Sequence, residues 1–203
     1  MRSLEVFADV ACPFAHIGLD RFTAFRRQRG LSEPILRVRA WPLELVNGKA
    51  LDGPSLAPKV DAIRTDVAPE LFAGFDPLRF PATSLPAMAS EAAACRVGLH
   101  AGEEFSLSVR RALFDDGRDV SDDAVLRRLR EQHGVPEPTP ADHAAVHADL
   151  AEGLQRGVDG SPHFFTPDGD FYCPSLAIEH DDEGYEVSFD TAGFQRFVDV
   201  VFR

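Results

Sequence analysis

The most informative stretch of this chain reads LEVFADVACPFAHIG, from Leu4 to Gly18. Its first part, Leu4 to Val10, is rich in strand-forming residues and predicts a β-strand. From Pro13 to Arg29 apolar residues recur at roughly helical spacing, and Gly30 ends the predicted helix. Cys12 therefore stands where a strand ends and a helix begins, with a proline in the first helical turn.

The following segments complete a strand–helix–strand unit. Ile35 to Leu45 predicts a second strand, and the turn signal Asn47-Gly48 closes the unit. Two strands joined in this way are expected to be parallel, with a right-handed crossover. Helix signals then dominate from Leu56 to Arg156, with capping residues at Ser121 and Thr139.

The last part of the chain returns to strands. His163 to Thr166 and Asp170 to Cys173 flank a hairpin signal, and Asp190 caps a final helix. The two ends of the chain can then share one mixed sheet with a helix on each face. The sequence predicts an α/β fold in which β-α-β and β-β-α halves form a discontinuous domain, residues 1–50 and 157–203. Residues 51–156 are the predicted helical insertion domain.

Composition and charge exclude several classes of function. The chain has 203 residues, of which 44% are hydrophobic, and a net charge of −12. Without a basic cluster, neither nucleic acid nor an anionic membrane surface is an expected partner. No apolar run is long enough to span a membrane, and no signal-peptide pattern is present, so we expect a cytoplasmic protein. The oligomeric state stays open.

The cysteine count directs attention to single thiols. Cys12, Cys95 and Cys173 are too few for a disulfide framework, and their number is odd. Cys95 falls on the apolar stripe of a predicted helix and is assigned to the core. His143 and His147 have a zinc-compatible spacing, but no third ligand accompanies them, so no metal site is predicted.

Two short motifs carry a family resemblance. They are DVACPFAHIG, from Asp9 to Gly18, and GVDGSPHF, from Gly157 to Phe164. Together they resemble the DsbA-like thioredoxin superfamily, in the branch of cytosolic DsbA-like oxidoreductases, 2-hydroxychromene-2-carboxylate isomerase and kappa-class glutathione transferase. The segments Trp41–Leu45 and 111–126 are similar to that branch as well.

This resemblance implies a thioredoxin fold with a helical insertion and a specific active site. Its catalytic motif would be Cys12-Pro13-Phe14-Ala15. The Ser161–Pro162 peptide bond would be cis, and the backbone beside it would pair with a bound peptide or glutathione. Glutathione is then a possible cosubstrate, and no tightly bound cofactor is expected.

The chain departs from the family at Ala15. A dithiol oxidoreductase has Cys-x-x-Cys, whereas this chain has no thiol at position 15 and cannot close a disulfide within the motif. The isomerase and transferase relatives commonly have Ser at the position of Cys12 and need no second cysteine. Ordinary dithiol oxidase activity is therefore in doubt, while monothiol or glutathione-dependent chemistry is not.

The physical environment of Cys12 gives a further expectation. A cysteine at a helix N-terminus faces unpaired N–H groups and the positive end of the helix dipole, which favour the thiolate. We therefore expect Cys12 to be more acidic and more nucleophilic than an ordinary cysteine. The alternative is a small buried residue at a tight junction.

Three other side chains are candidates for the site. His16, one helical turn after Cys12, would stabilise the thiolate or donate a proton to a leaving thiol; alternatively it caps the rim of the groove. His163 would line the site or be a solvated residue at a strand end. Cys173 would lie next to Pro162 and act as a relocated resolving cysteine, or be a partly buried thiol without a role.

The distance between Cys12 and Cys173 is a separate expectation. We expect the two residues to line one groove, with Cα atoms farther apart than the roughly 4.4–6.8 Å of a relaxed disulfide. Exchange between them would then need loop movement or a bridging small thiol. The acidic run 179–183 is expected to be a solvated loop.

Three functions remain open. The first is thiol–disulfide exchange through Cys12 with a small thiol or a partner protein. The second is a glutathione-dependent isomerase or transferase of the 2-hydroxychromene-2-carboxylate type. The third is a binding module that has kept the fold without turnover.

Overall fold

The computed structural model of the chain describes residues 2–181 and 184–203. Its strands are β1 (Ser3–Ala8), β2 (Ile35–Ala40), β3 (His163–Thr166), β4 (Gly169–Tyr172), β5 (Leu176–Asp181) and β6 (Gly184–Phe189). Its helices are α1 (Pro13–Gln28), α2 (Leu43–Val46), α3 (Gly53–Asp66), α4 (Leu85–Val97), α5 (Leu99–Phe114), α6 (Asp123–His133), α7 (Pro140–Arg156) and α8 (Thr191–Val201).

The central sheet has the strand order β2-β1-β3-β4. β1 and β2 are parallel, while β3 is antiparallel to both β1 and β4. The predicted β-α-β and β-β-α halves therefore join in one mixed sheet, which is the thioredoxin arrangement with a helical insertion. The domain boundaries at residues 51 and 156 stay predictions.

The first two strands end earlier than the sequence predicts. The predicted ends are Val10 and Leu45, whereas β1 ends at Ala8 and β2 at Ala40. Pro42, which has no backbone N–H for a sheet, instead precedes the short helix α2. After β2 the chain therefore leaves the sheet at the same edge at which Cys12 precedes α1.

The two faces of the sheet have different cores. On one face, Phe22 of α1 and Phe197 of α8 pack around Phe164 of β3. On the other face, Phe7 of β1 contacts Trp41 and Phe165. Since successive residues of a strand point to opposite faces, His163 lies on the Phe7 face, away from α1.

The helical block packs directly on the segment that carries the first motif. Val10, Ala11 and Ile17 belong to the same apolar core as Phe105 and Phe114 of α5. The caps follow the sequence prediction closely. Thr139 forms a capping box at the start of α7, whereas α6 is capped by Asp122 and not by the predicted Ser121.

The first three residues of the acidic run, 179–181, belong to strand β5 and not to the predicted loop. β5 and β6 form a second, two-stranded sheet. Residues 182 and 183 of the run lie outside the described residues. Val187 of β6 is buried, and this strand packs against α3. Sequence reasoning missed these strands, although Leu176 and Ile178, and again Val187 and Phe189, have the two-residue spacing that is typical of a strand. Within the described residues, no helix has the length and apolar character needed to cross a membrane.

Candidate active site

Cys12 is the residue immediately before the first turn of α1. Its backbone is extended, and Pro13 occupies the start of the helix. The side chain is 3% exposed, and its Sγ donates a hydrogen bond to the carbonyl oxygen of Ser161 at 3.2 Å. The Ser161–Pro162 bond is cis, as the family resemblance implies. Two motifs almost 150 residues apart therefore meet at the thiol.

The ring of Pro162 packs closely on α1. A Cβ placed on Gly18 would lie 3.0 Å from Cγ of Pro162, closer than nine in ten real Cβ contacts. The absence of a side chain at position 18 thus allows the proline loop to approach the helix. Phe14 is partly exposed, whereas Ala15 is fully buried, so Ala15 offers no polar group to the site.

The electrostatics of Cys12 differ from the sequence expectation. Burial raises the pKa of the Cys12 thiol, while hydrogen bonds from the Ser161 side chain and from the backbone of Ala15 and Phe14 lower it. The charge of Asp9 raises it further. The N–H groups of the helix N-terminus act as predicted, but burial outweighs them, so the prediction of a more acidic thiol is wrong for this conformation.

Asp9 is a residue of the site that sequence reasoning missed. It is 1% exposed, and its carboxylate accepts hydrogen bonds of 2.7 Å from the N–H groups of Ala11 and Leu43. Burial raises its pKa to about 6, although these two bonds, Ser84 and the charge of Arg110 lower it. An acidic residue directly after an apolar strand and three positions before Cys12 was the available signal.

His16 faces the helical block and not the thiol. Its Nε2 lies 3.0 Å from Oδ1 of Asp115, and its ring contacts Phe72 and Phe114 at centroid distances of 5.0 and 5.2 Å. The side chain is 3% exposed. Both interpretations of His16 are therefore corrected. The ring has Asp115 as its polar partner, and it is too deeply buried to form a groove rim.

His163 fixes the loop that precedes the cis-proline. Its Nδ1 accepts from the N–H of Asp159 at 3.1 Å, so Nε2 carries the proton and donates to Asp170 at 2.9 Å. The ring is buried and stacks on Phe165. It is neither solvated nor on the Cys12 side of the sheet, which corrects both expectations for this residue. Its role is to hold the loop in place.

Cys173 lies beside Pro162, as the hairpin register predicts. Its N–H donates to the carbonyl oxygen of Pro162 at 2.9 Å. Its φ is +43°, and within residues 2–181 and 184–203 only Phe72 shares a positive φ among non-glycine residues. Burial, and then the charge of Cys12, raises the pKa of Cys173 to about 12. The separation of the Cys12 and Cys173 Cα atoms stays a prediction.

An open groove adjoins these residues. It has a volume of about 380 Å³ and is lined by Phe14, Lys59, Tyr172, Cys173, Leu176 and Ile178. Its walls come from α1, α3, β4, β5 and the connection between these two strands, so it extends from the active-site motif toward the second sheet. Most of its lining is apolar, with one cationic side chain.

The remaining candidates lie apart from this site. Cys95 is only partly buried on α4, not in the core as predicted, and burial raises its pKa to about 11. Nowhere in the described part of the chain do three His, Cys, Asp or Glu side chains gather in a group able to hold a metal ion.

A mixed sheet with a cis-proline loop opposite the N-terminus of its first helix is the arrangement of a thioredoxin-fold protein. The sequence profile of the DSBA-like thioredoxin domain matches residues 3–181, and the chain belongs to this family. A search of curated protein sequences finds no significant match.

Three solved structures have similar folds. The cytosolic disulfide reductase DsbM of Pseudomonas aeruginosa has a TM-score of 0.61 and 16% identity, over 97% of each chain. The same protein described with GSH has a TM-score of 0.58 and 19% identity, over 83% of this chain and 88% of that one. A 2-hydroxychromene-2-carboxylate isomerase has a TM-score of 0.60 and 15% identity, over 83% of this chain and 87% of that one.

Proposed function

We propose that this protein catalyses thiol–disulfide exchange through the single thiol of Cys12, with glutathione or a similar small thiol as co-reactant. The observation that carries the proposal is the position of Cys12 Sγ, at the N-terminus of α1 and 3.2 Å from the carbonyl of Ser161. The Ser161 hydroxyl and the N–H groups of Ala15 and Phe14 favour the thiolate form. When a substrate enters the groove and exposes Cys12, these hydrogen-bond donors are already in place to stabilise the attacking thiolate.

The reaction proceeds in two exchanges. The Cys12 thiolate attacks one sulfur of a disulfide, forms a mixed disulfide with that half and releases the other half as a thiolate. Because Ala15 provides no second thiol, a small thiol then attacks the outer sulfur. This step restores the Cys12 thiolate and releases a new disulfide, so the substrate is reduced and the small thiol is oxidised.

Asp9 is the group that we expect to exchange protons with this site. Its carboxyl is buried near Cys12, and its pKa of about 6 makes it mostly ionised at neutral pH. A negative Asp9 opposes formation of the Cys12 thiolate, so uptake of a proton by Asp9 lowers the cost of ionising the thiol. The two groups are therefore expected to titrate as a pair.

Similarity to a disulfide reductase, one structure of which is described with GSH, agrees with this chemistry. We also propose a cytoplasmic location, which the description of that relative as cytosolic supports. That the protein acts without nucleic acid or membrane partners remains an expectation from its charge.

The test is a coupled reductase assay. Purified protein is given glutathione, the mixed disulfide of glutathione and 2-mercaptoethanol, glutathione reductase and NADPH, and the loss of NADPH absorbance is followed. We expect Cys12→Ser to lose the activity and Cys95→Ser, at a partly buried position on α4, to retain it. Equal rates with wild-type protein and Cys12→Ser would overturn the proposal.

A second candidate function is the glutathione-dependent isomerase. It is favoured by the apolar groove beside Cys12, whose walls include Phe14, Leu176 and the cationic Lys59, a combination suited to an aromatic carboxylate. Isomerisation of 2-hydroxychromene-2-carboxylate in the presence of glutathione would be followed by absorbance. A serine at position 12 can still position the cosubstrate, so isomerase activity that survives Cys12→Ser identifies this second function. Tight glutathione binding without either activity identifies a binding module.

A further inference from the structure

The described cysteines include a second thiol that the proposed function does not use. Cys173 belongs to the same site as Cys12, because the two residues donate hydrogen bonds to the carbonyl groups of two consecutive residues, Ser161 and Pro162. Sγ of Cys12 donates to the carbonyl of Ser161 at 3.2 Å, and the N–H of Cys173 donates to the carbonyl of Pro162 at 2.9 Å. One peptide unit separates the two attachment points.

We propose that Cys173 accepts the small thiol from the mixed disulfide on Cys12, so that the small thiol is bound first to Cys12 and then to Cys173. The inference rests on the proposed function, since Cys12 must first form the mixed disulfide. It assigns to Cys173 the task that a thiol at position 15 performs in Cys-x-x-Cys relatives, but by transfer of the bound thiol and not by a direct protein disulfide.

The groove gives this transfer a path. Cys173 lines the cavity of about 380 Å³ together with Phe14, the second residue after Cys12. A small thiol joined to Cys12 would extend past Phe14 into this space, which would bring its sulfur toward Cys173. Attack at this outer sulfur lets the two cysteines stay farther apart than the roughly 2 Å between the sulfur atoms of a disulfide.

The backbone also sets Cys173 apart from an ordinary buried cysteine. Its φ of +43° lies in the left-handed region, where glycine is favoured and other residues are strained. Strain of this kind persists where the surroundings hold the residue in place, and the bond to Pro162 does so here. The strained position keeps the Cys173 side chain in the groove.

The step is balanced in atoms and electrons. The Cys173 thiolate attacks the sulfur of R in Cys12–S–S–R, the bond from this sulfur to Cys12 breaks, and Cys12 leaves as a thiolate. No net oxidation occurs. Cys12 is the better leaving group, because Ser161, Ala15 and Phe14 stabilise its thiolate, whereas burial and the charge of Cys12 oppose ionisation of Cys173. A second small thiol then removes R from Cys173.

The experiment measures over time which cysteine carries the glutathione adduct. Reduced protein is treated with a limiting amount of glutathione disulfide, quenched with acid at increasing times and mapped by mass spectrometry. We expect the adduct to appear first on Cys12 and later on Cys173, with transfer faster at higher pH because Cys173 must lose its proton. In Cys12→Ser, labelling of Cys173 should fall at least tenfold.

Three variants make the outcome decisive. Cys173→Gly and Cys173→Ser both remove the thiol, and the glycine variant also adopts the positive φ without strain. In both variants the glutathione adduct should stay on Cys12 longer than in wild type. Cys95→Ser should behave like wild type. A Cys12 adduct that never moves, or that decays equally in Cys173→Gly, overturns the relay alone. A Cys12–Cys173 disulfide also overturns it, since resolution is then direct. No adduct on Cys12 overturns the proposed function itself.

Discussion

The backbone N–H of Asp9 donates a hydrogen bond to the hydroxyl of Ser161 at 2.9 Å. This bond joins the end of β1 to the residue before the cis-proline, 152 positions later in the chain. The carboxylate of Asp9 meanwhile accepts from Ala11 and Leu43. One buried residue therefore connects the start of α1, the start of α2 and the proline loop, and its protonation affects both stability and the thiol.

The first prediction concerns stability against pH. Asp9 has a pKa of about 6 in the folded protein against an ordinary value of 3.8. Well below pH 3.8 both states hold the proton, and as pH rises from there toward 6 the unfolded state loses it first. The contribution of Asp9 to folding thus falls by about 3 kcal/mol across this window.

This contribution is isolated by comparison with Asp9→Asn, which does not titrate. Urea unfolding of both proteins between pH 4 and pH 7 gives the difference in their free energies of unfolding. Wild type should lose stability relative to the variant as pH rises, and the difference should be constant above about pH 7. A constant difference throughout would show that Asp9 has an ordinary pKa.

The second prediction concerns the acidity of Cys12. Because burial raises the pKa of its thiol, iodoacetamide alkylation in a Cys95→Ser, Cys173→Ser background should show an inflection above about 8.5. Asp9→Asn in the same background should lower this inflection, since a negative charge beside the thiol is removed. An inflection below that of a free cysteine in the parent protein would mean that the helix N-terminus dominates over burial.

The local parts of the site could be predicted from the sequence. The strand, Cys12 at the start of α1 and the hairpin that follows Pro162 depend on residues close together in the chain. The structure contains all three, although β1 ends two residues earlier than predicted and β4 begins and ends one residue before the predicted strand. The register of the hairpin also brings Cys173 to Pro162. Periodicity, turn residues and helix-start signals carry this information without knowledge of the rest of the fold.

The properties that depend on distant packing could not be predicted. The partner of His16 is Asp115, 99 positions away, and only the position of the helical block decides it. The pKa of Cys12 is raised mainly by burial, in an apolar cluster that brings β1, β2, α1, β3 and α8 together. The partners of His163, Asp159 and Asp170, are only 4 and 7 positions away, but the face of the sheet on which the ring lies is set by the pairing of β3 with β1.

The third prediction separates support from catalysis at His16. His16→Phe keeps an aromatic ring between Phe72 and Phe114 but removes the hydrogen bond to Asp115. We expect a loss of about 1–3 kcal/mol in the free energy of unfolding, because the carboxylate loses a partner. The alkylation inflection of Cys12 should stay where it is. A shifted inflection without loss of stability would instead assign His16 to the thiol.

The last prediction tests the close approach of Pro162 to α1. In Gly18→Ala the new Cβ would lie 3.0 Å from Cγ of Pro162, so the proline loop must move away by a few tenths of an ångström. Alanine also favours the helix by about 0.5–1 kcal/mol, which offsets much of the strain. We therefore expect little change in thermal stability but a severalfold loss in the rate of disulfide exchange.

Gly98→Ala is the matched control for this change, because no atom lies within 4 Å of a Cβ at that position. It should leave the exchange rate as in wild type. The expected effect of Gly18→Ala arises because Ser161 moves together with Pro162. This movement lengthens the hydrogen bond from Cys12 Sγ to the Ser161 carbonyl and displaces the Ser161 hydroxyl that stabilises the thiolate. If Gly18→Ala exchanges at the wild-type rate while the fold is intact, the position of the proline loop does not limit the reaction, and the thiol at the start of α1 acts without it.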